Sequence, residues 1–199
     1  MKKNNKNLKV AAIVLRLQPQ HIGHTNLIFK AMMENDVVII LPGSSQEKRT
    51  KRNPLSTPEK INNLKQMFGE ESSKLKYLPI RDIGASTDKE WTDHIFNIID
   101  KAGLPQPTRY YAGDNVNAKF FKNCVNSISG KKIEVILVDR LASGIMSASD
   151  IRDAIYNNCD SWKKHVPPCL VEMIIDVYPK ELINPYNKKS GISISGDSI

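Results

Sequence analysis

The residues best suited to chemistry lie near the start of the chain, where His21-Ile22-Gly23-His24 sets two imidazoles around a glycine. Pro19 and Gly23 mark residues 18–24 as a turn, and the spacing of Leu27, Ile28, Ala31 and Met32 predicts a helix straight after it. At such a turn the backbone N–H groups, the positive end of the helix and two ring donors can all face one anion, while Gly23 lets the backbone approach it closely. This suits transfer of a phosphoryl-type group, where the need is to hold the groups in line and stabilise charge, without a required covalent intermediate. A lone loop histidine is usually incidental; two of them around a glycine at a strand-to-helix turn argue for a nucleotide site.

The elements that must position this turn follow from the rest of the pattern. Residues 8–15 (LKVAAIVL) are nearly continuous in apolar and β-branched types, as a strand covered on both faces would be. A second strand is expected over 37–41, closed by Pro42-Gly43, with a polar loop over 44–53. Ser56 and Glu59 have capping-box spacing with Pro58 in the first turn, so a helix follows with Ile61, Leu64 and Phe68 on one face. Further strands are expected at 77–80, 109–112 and 133–138. Helices are expected at 89–101 (stopped by Gly103), 116–124, 149–157 and 168–177. Strand and helix alternate to the fifth strand, and parallel strands need crossover connections. The fold class is therefore α/β: a Rossmann-like, doubly wound parallel five-stranded sheet with C-terminal helices. Ligands of such a sheet bind beyond the carboxyl ends of its strands, where the histidine turn belongs. Trp91 shares an apolar helix stripe with Ile95, Ile98 and Ile99, a spacing that by itself reads more often as core; His94, three residues on, shares its face.

At 199 residues the chain suits one domain, expected over 8–180, with a flexible basic N-terminus at 1–7 and a mobile polar tail at 181–199. No apolar run is long enough to span a membrane and the first residues lack a signal-peptide core, so a cytoplasmic location is expected. Cys124, Cys159 and Cys169 are odd in number and widely spaced, which suggests buried, reduced thiols and neither a disulfide framework nor a zinc knuckle. A net charge of +8 favours anionic partners, free nucleotides or nucleic acid alike. The cations cluster at Lys2, Lys3, Lys6 and Lys9 and again at Lys48, Arg49, Lys51 and Arg52.

The run Arg16-Leu17-Gln18-Pro19-Gln20-His21-Ile22-Gly23-His24 resembles the opening signature of the nicotinamide-mononucleotide adenylyltransferase family, especially its archaeal-type branch within the HxGH nucleotidyltransferases. Gly43-Ser44-Ser45-Gln46 with Arg52-Asn53-Pro54-Leu55 is similar to the family's loop after the second strand. Asp82, Trp91 and His94 resemble its acceptor segment, and Tyr111-Ala112-Gly113-Asp114 the end of its fourth strand. Ser147-Ala148-Ser149-Asp150-Ile151-Arg152 resembles its late phosphate-binding helix start, and Trp162 with Val166-Pro167-Pro168 its C-terminal junction. The chain departs from the pattern at Leu15, where glycine is usual, at Gln20, where phenylalanine is usual, and at Ala148-Ser149, where the family has Gly-Thr.

The resemblance implies adenylyl transfer from ATP, with magnesium, to nicotinamide mononucleotide or nicotinic acid mononucleotide, forming NAD or its deamido form and pyrophosphate. It implies that His21, His24 and Arg152 are catalytic and that Arg16, Gln18, Gly23, Gly113, Ser147 and Ser149 join them in binding ATP. Arg52, Asp82 and Trp91 would bind the acceptor, Trp91 by stacking on the pyridine ring. Homo-oligomers are common among such proteins, and neither a membrane nor nucleic acid is an expected partner. The alternatives are a related adenylyl- or cytidylyltransferase for phosphopantetheine or flavin mononucleotide, and a non-catalytic nucleotide-binding relative. A class I aminoacyl-tRNA synthetase shares the His-Ile-Gly-His signature, but the chain has no Lys-Met-Ser-Lys-Ser-like loop and no room for an anticodon-binding domain.

Overall fold

The computed structural model describes residues 8–139 and 144–183. The basic segment 1–7 and residues 184–199 of the expected tail lie outside the described residues. At the tail's start, Lys180–Leu182 forms a single 3-10 turn, and Leu182 and Ile183 pack on the C-terminal helices.

Five parallel strands, β1 (Val10–Leu15), β2 (Val37–Pro42), β3 (Leu75–Tyr77), β4 (Arg109–Ala112) and β5 (Glu134–Leu137), lie in the order β3-β2-β1-β4-β5. The chain winds outward one way from β1, then returns to set β4 on its other side, so the order reverses between β1 and β4. Alternate residues of β1 feed the two faces. Ala11, Ile13 and Leu15 pack with Leu27, Ile28 and Ala31 of α1 (Ile22–Glu34) and Leu64 of α2 (Thr57–Phe68). Val10 and Ala12 pack with Ile95, Phe96 and Ile99 of α3 (Asp88–Lys101) and Phe121 of α4 (Asn115–Phe121). This period-2 division is why β1 shows an unbroken apolar run. A third cluster joins α5 (Ala148–Tyr156), a 3-10 segment holding Trp162, and α6 (Pro168–Val177), with Met67 of α2 packed against it.

Three expectations shift. The helix α1 starts at Ile22, so Gly23 and His24 lie in its first turn and not in the preceding loop. β3 comes two residues earlier than expected, because its register is set by pairing Leu75 to Tyr77 with Val38 to Ile40 of β2. Cys159 and Cys169 are exposed and Cys124 is half-buried, against the expected burial. No helix among the described residues is long and apolar enough to cross a membrane.

Candidate active site

The histidine turn follows the end of β1 after two residues, Arg16 and Leu17. Leu17 holds φ 55° and the Gln18–Pro19 peptide bond is cis. His21 is the N-cap of α1: its Nδ1 accepts from the Gly23 N–H at 3.1 Å, and the Nδ1 of His24 accepts from the His21 N–H at 3.3 Å. The two rings therefore do the work that Ser and Glu do in an ordinary capping box. Because each Nδ1 is an acceptor, each neutral ring carries its proton on Nε2. The rings, both buried, lie with centroids 3.8 Å apart. Two Nε2–H donors are thus locked side by side at a helix N-terminus.

These histidines line a cavity of about 180 Å³ with Arg16, Leu17, Gln18, Ser147, Ala148, Ser149 and Arg152. Arg152 reaches it from α5, donating to the Gln18 carbonyl at 2.7 Å, to the Ala148 carbonyl at 3.1 Å and to the Ser149 hydroxyl oxygen at 3.0 Å. Burial lowers the pKa of both Arg152 and Arg16, and the charge of Arg52 lowers each further. Arg16 and Arg152 thus line a space with no carboxylate in its lining and repel each other and Arg52 outside it. Such a cluster stores the field that a polyphosphate would relieve. Any divalent ion there would be held chiefly by ligand phosphates and water, since no cluster of three potential protein ligands exists among the described residues.

A second cavity, of about 410 Å³, adjoins at Arg16, which lines both. It is walled by Val14, Gly43 and Ser44, by the segment after β3 (Asp82, Ile83, Ala85, Ser86), by the start of α3 (Thr87, Asp88, Trp91) and by Asn117 and Phe120 of α4. Trp91 is half-buried: it packs against the core cluster that holds Ile95 and also lines the cavity. The His94 ring stacks on Trp91 with centroids 5.9 Å apart, and burial lowers the His94 pKa, which keeps a neutral ring behind the indole. Asp82 is held by Gln46, whose side-chain amide donates to its carboxylate at 3.0 Å and accepts from its N–H at 3.1 Å.

Not every expected residue faces a cavity through its side chain. The Gln18 amide is fully buried and spent on the backbone of Leu55, donating at 2.7 Å and accepting at 2.8 Å, so only its backbone remains to meet a ligand. Ser147 caps α5 in a box with Asp150, to which both its hydroxyl (2.7 Å) and its N–H (3.0 Å) donate. Its side chain orders the helix start, while Ser149, which lines the cavity with it, accepts from Arg152. Gly113, at the carboxyl end of β4, lines neither cavity. Arg52 is exposed on the loop after β2 and lines neither, although Arg16 and Arg152 both feel its charge. Sequence reasoning missed Asn117, Phe120 and the buried Lys60. Lys60, Leu64 and Phe68 are four apart, a spacing that puts the lysine on the buried stripe of α2.

No family model matches the chain. It is 29% identical over 169 residues to the nicotinamide-nucleotide adenylyltransferase of Picrophilus torridus, covering 84% of this chain and 90% of that protein. It is 26% identical over 177 residues to the protein of the same name from Thermococcus onnurineus, covering 88% and 87%. The chain is a homologue of these adenylyltransferases. Among solved structures, the bifunctional NMN adenylyltransferase/ADP ribose pyrophosphatase of Francisella tularensis, complexed with AMP and a manganese ion, superposes with a TM-score of 0.63 at 20% identity. That match covers 81% of this chain and 44% of the larger protein. A NadR protein in complex with NAD and AMP-PNP superposes with a TM-score of 0.60 at 20% identity, covering 84% of this chain and 47% of that one. At that identity the superpositions carry the fold: a five-stranded parallel sheet flanked by helices.

Proposed function

We propose that this protein transfers AMP from ATP to the 5′-phosphate of nicotinamide mononucleotide, forming NAD and pyrophosphate. The observation that carries the reading is the pair of cavities meeting at Arg16: one ringed by cations and histidine donors, the other bounded by an indole and carboxylates. The homology to enzymes of that name supports the same acceptor.

ATP enters with magnesium, and its triphosphate occupies the histidine cavity against the first turn of α1, Arg152 and Ser149. A divalent ion held on the ligand phosphates would offset their charge. The pyridine ring of the acceptor lies on Trp91, and its 5′-phosphate reaches Arg16 from the other cavity, with Arg52 nearby. A phosphate oxygen of the acceptor attacks the α-phosphorus of ATP, the bond from that phosphorus to the β-bridging oxygen breaks, and pyrophosphate leaves. No proton need move. The protein holds the two phosphates in line and meets the growing charge with the Nε2–H donors of His21 and His24 and with Arg152. Asp82 and Asp88 are the two carboxylates of the Trp91 cavity, and they disfavour a ring carboxylate against a ring carboxamide.

The test is pyrophosphate release from ATP and magnesium with a panel of acceptors: nicotinamide mononucleotide, nicotinic acid mononucleotide, flavin mononucleotide and phosphopantetheine. Fastest turnover of nicotinamide mononucleotide is expected. Turnover of one of the last two alone overturns the acceptor assignment, and ATP binding with no turnover of any overturns the activity.

A further inference from the structure

Lys60 is a charged side chain with an unusual burial. It lies in the second half of the first turn of α2, near the positive end of the helix dipole where a cation is disfavoured, and it is only 1% exposed. An ammonium has three donors. Among the described residues this one makes a single hydrogen bond, 2.9 Å to the Gly43 carbonyl, and forms no ion pair. The charged groups that face it are Arg16 from the end of β1 and Asp82 from the segment after β3. Its helix neighbour Glu59 is committed to Arg49. The fold therefore keeps a costly, under-partnered charge directly behind the wall of the larger cavity.

That wall contains the Gly43–Ser44 peptide, and both residues line the cavity while Lys60 does not. In a trans peptide the C=O and the following N–H point in opposite directions. With the Gly43 oxygen drawn back to Lys60, the Ser44 N–H turns the other way, and among the described residues it has no hydrogen-bond partner. Ser44 itself is held at φ 51°. We infer that Lys60 is a positioning residue for the acceptor anion: it pins the Gly43–Ser44 peptide so that the Ser44 N–H faces the acceptor cavity, and it sets a buried positive charge behind that donor. The inference rests on the assignment of this cavity to the acceptor. Burial also brings the Lys60 pKa down to about 8, with Asp82 opposing that fall and Arg16 adding to it, so the charge behind the wall is titratable in a range where a phosphate monoester stays a dianion.

Calorimetric binding of nicotinamide mononucleotide, and separately of ATP, to the wild type, Lys60→Arg and Lys60→Met at pH 7.5 and 9 tests this. For the wild type, acceptor affinity is expected to fall by about threefold to tenfold between the two pH values, as the Lys60 charge is lost. ATP affinity should move much less. Lys60→Arg should bind at pH 7.5 within about twofold of the wild type and lose the pH dependence, because guanidinium does not titrate there. Lys60→Met should bind the acceptor weakly at both values. Acceptor binding that ignores both pH and the residue at 60, or an equal loss for ATP and acceptor, overturns the inference and leaves the proposed activity standing. If the wild type binds ATP but not nicotinamide mononucleotide, both fall.

Discussion

The histidine cavity and the Trp91 cavity share Arg16 yet are built by different means. The first draws most of its lining from residues 16–24 and the start of α5, and its key side chains are bonded to nearby backbone: each histidine Nδ1 to an N–H within three residues, and Arg152 to two carbonyls. The second is assembled from the ends of β1 and β2, the segment after β3, and helices α3 and α4, and many of its residues are exposed. Local bonding gives rigid donors whatever ligand arrives, which suits charge stabilisation in a transition state. A wall shared among several segments can vary its shape residue by residue, which suits selection of an acceptor.

Changes that strike one cavity alone should therefore separate catalysis from acceptor binding. The largest effect is expected for His24→Ala, which removes an Nε2–H donor: kcat for pyrophosphate release should fall by about 10²- to 10³-fold with acceptor affinity little changed. A matching loss of acceptor affinity would erase the distinction between the cavities. Next is Gln18→Ala. It strands the buried N–H and C=O of Leu55 and unties the histidine turn from the loop that carries Arg52. Denaturant unfolding should show a loss of about 2 to 3 kcal/mol, and an unchanged midpoint would mean the two segments hold together without it.

Lys60 tests the hidden charge beneath the acceptor side. Its folded pKa of about 8 lies below the ordinary 10.5, so between those values the unfolded chain holds a proton that the folded one has released. Stability then rises with pH, and Lys60 should contribute a gain on the order of 2 kcal/mol between pH 7 and 10. The folded-state penalty is complete below pH 8 and gone above 10.5. Tyr111, pushed up to about 12 by burial, acts in the opposite sense only above pH 10. The difference between the unfolding curves of wild type and Lys60→Met across this range should carry that slope; parallel curves would place the titration elsewhere. The smallest effect is expected for Trp91→Ala: about a fivefold to tenfold rise in KM for the acceptor, the worth of one aromatic stack, with KM for ATP steady. A larger rise for ATP would mean the indole serves the other cavity.

Much of the histidine side was legible because its determinants are local. The His-Ile-Gly-His turn, the Ser56/Glu59 box and the helical spacing of α1 involve residues within a few positions of one another. The cap at Ser147 follows the same logic: Asp150, three residues on, is its partner in the box that starts α5. The stripe of α2 was half legible. Leu64 and Phe68 are buried as expected, but the position most buried beside them is Lys60 and not Ile61.

By itself the sequence determined the alternation of strands and helices, the cap-like turn at His21 and the presence of scattered cations that could meet phosphate. These depend on periodicities and on bonds spanning three or four residues, which the chain writes in order. Only the tertiary structure decided which cations meet. Arg16, Arg52 and Arg152 come within reach of one another's charge, and Lys60 within reach of those of Arg16 and Asp82, because β1 takes the centre of the sheet with β2 and β4 on either side. That order is chosen by burying both faces of β1 at once, a condition on the whole chain that no short segment carries.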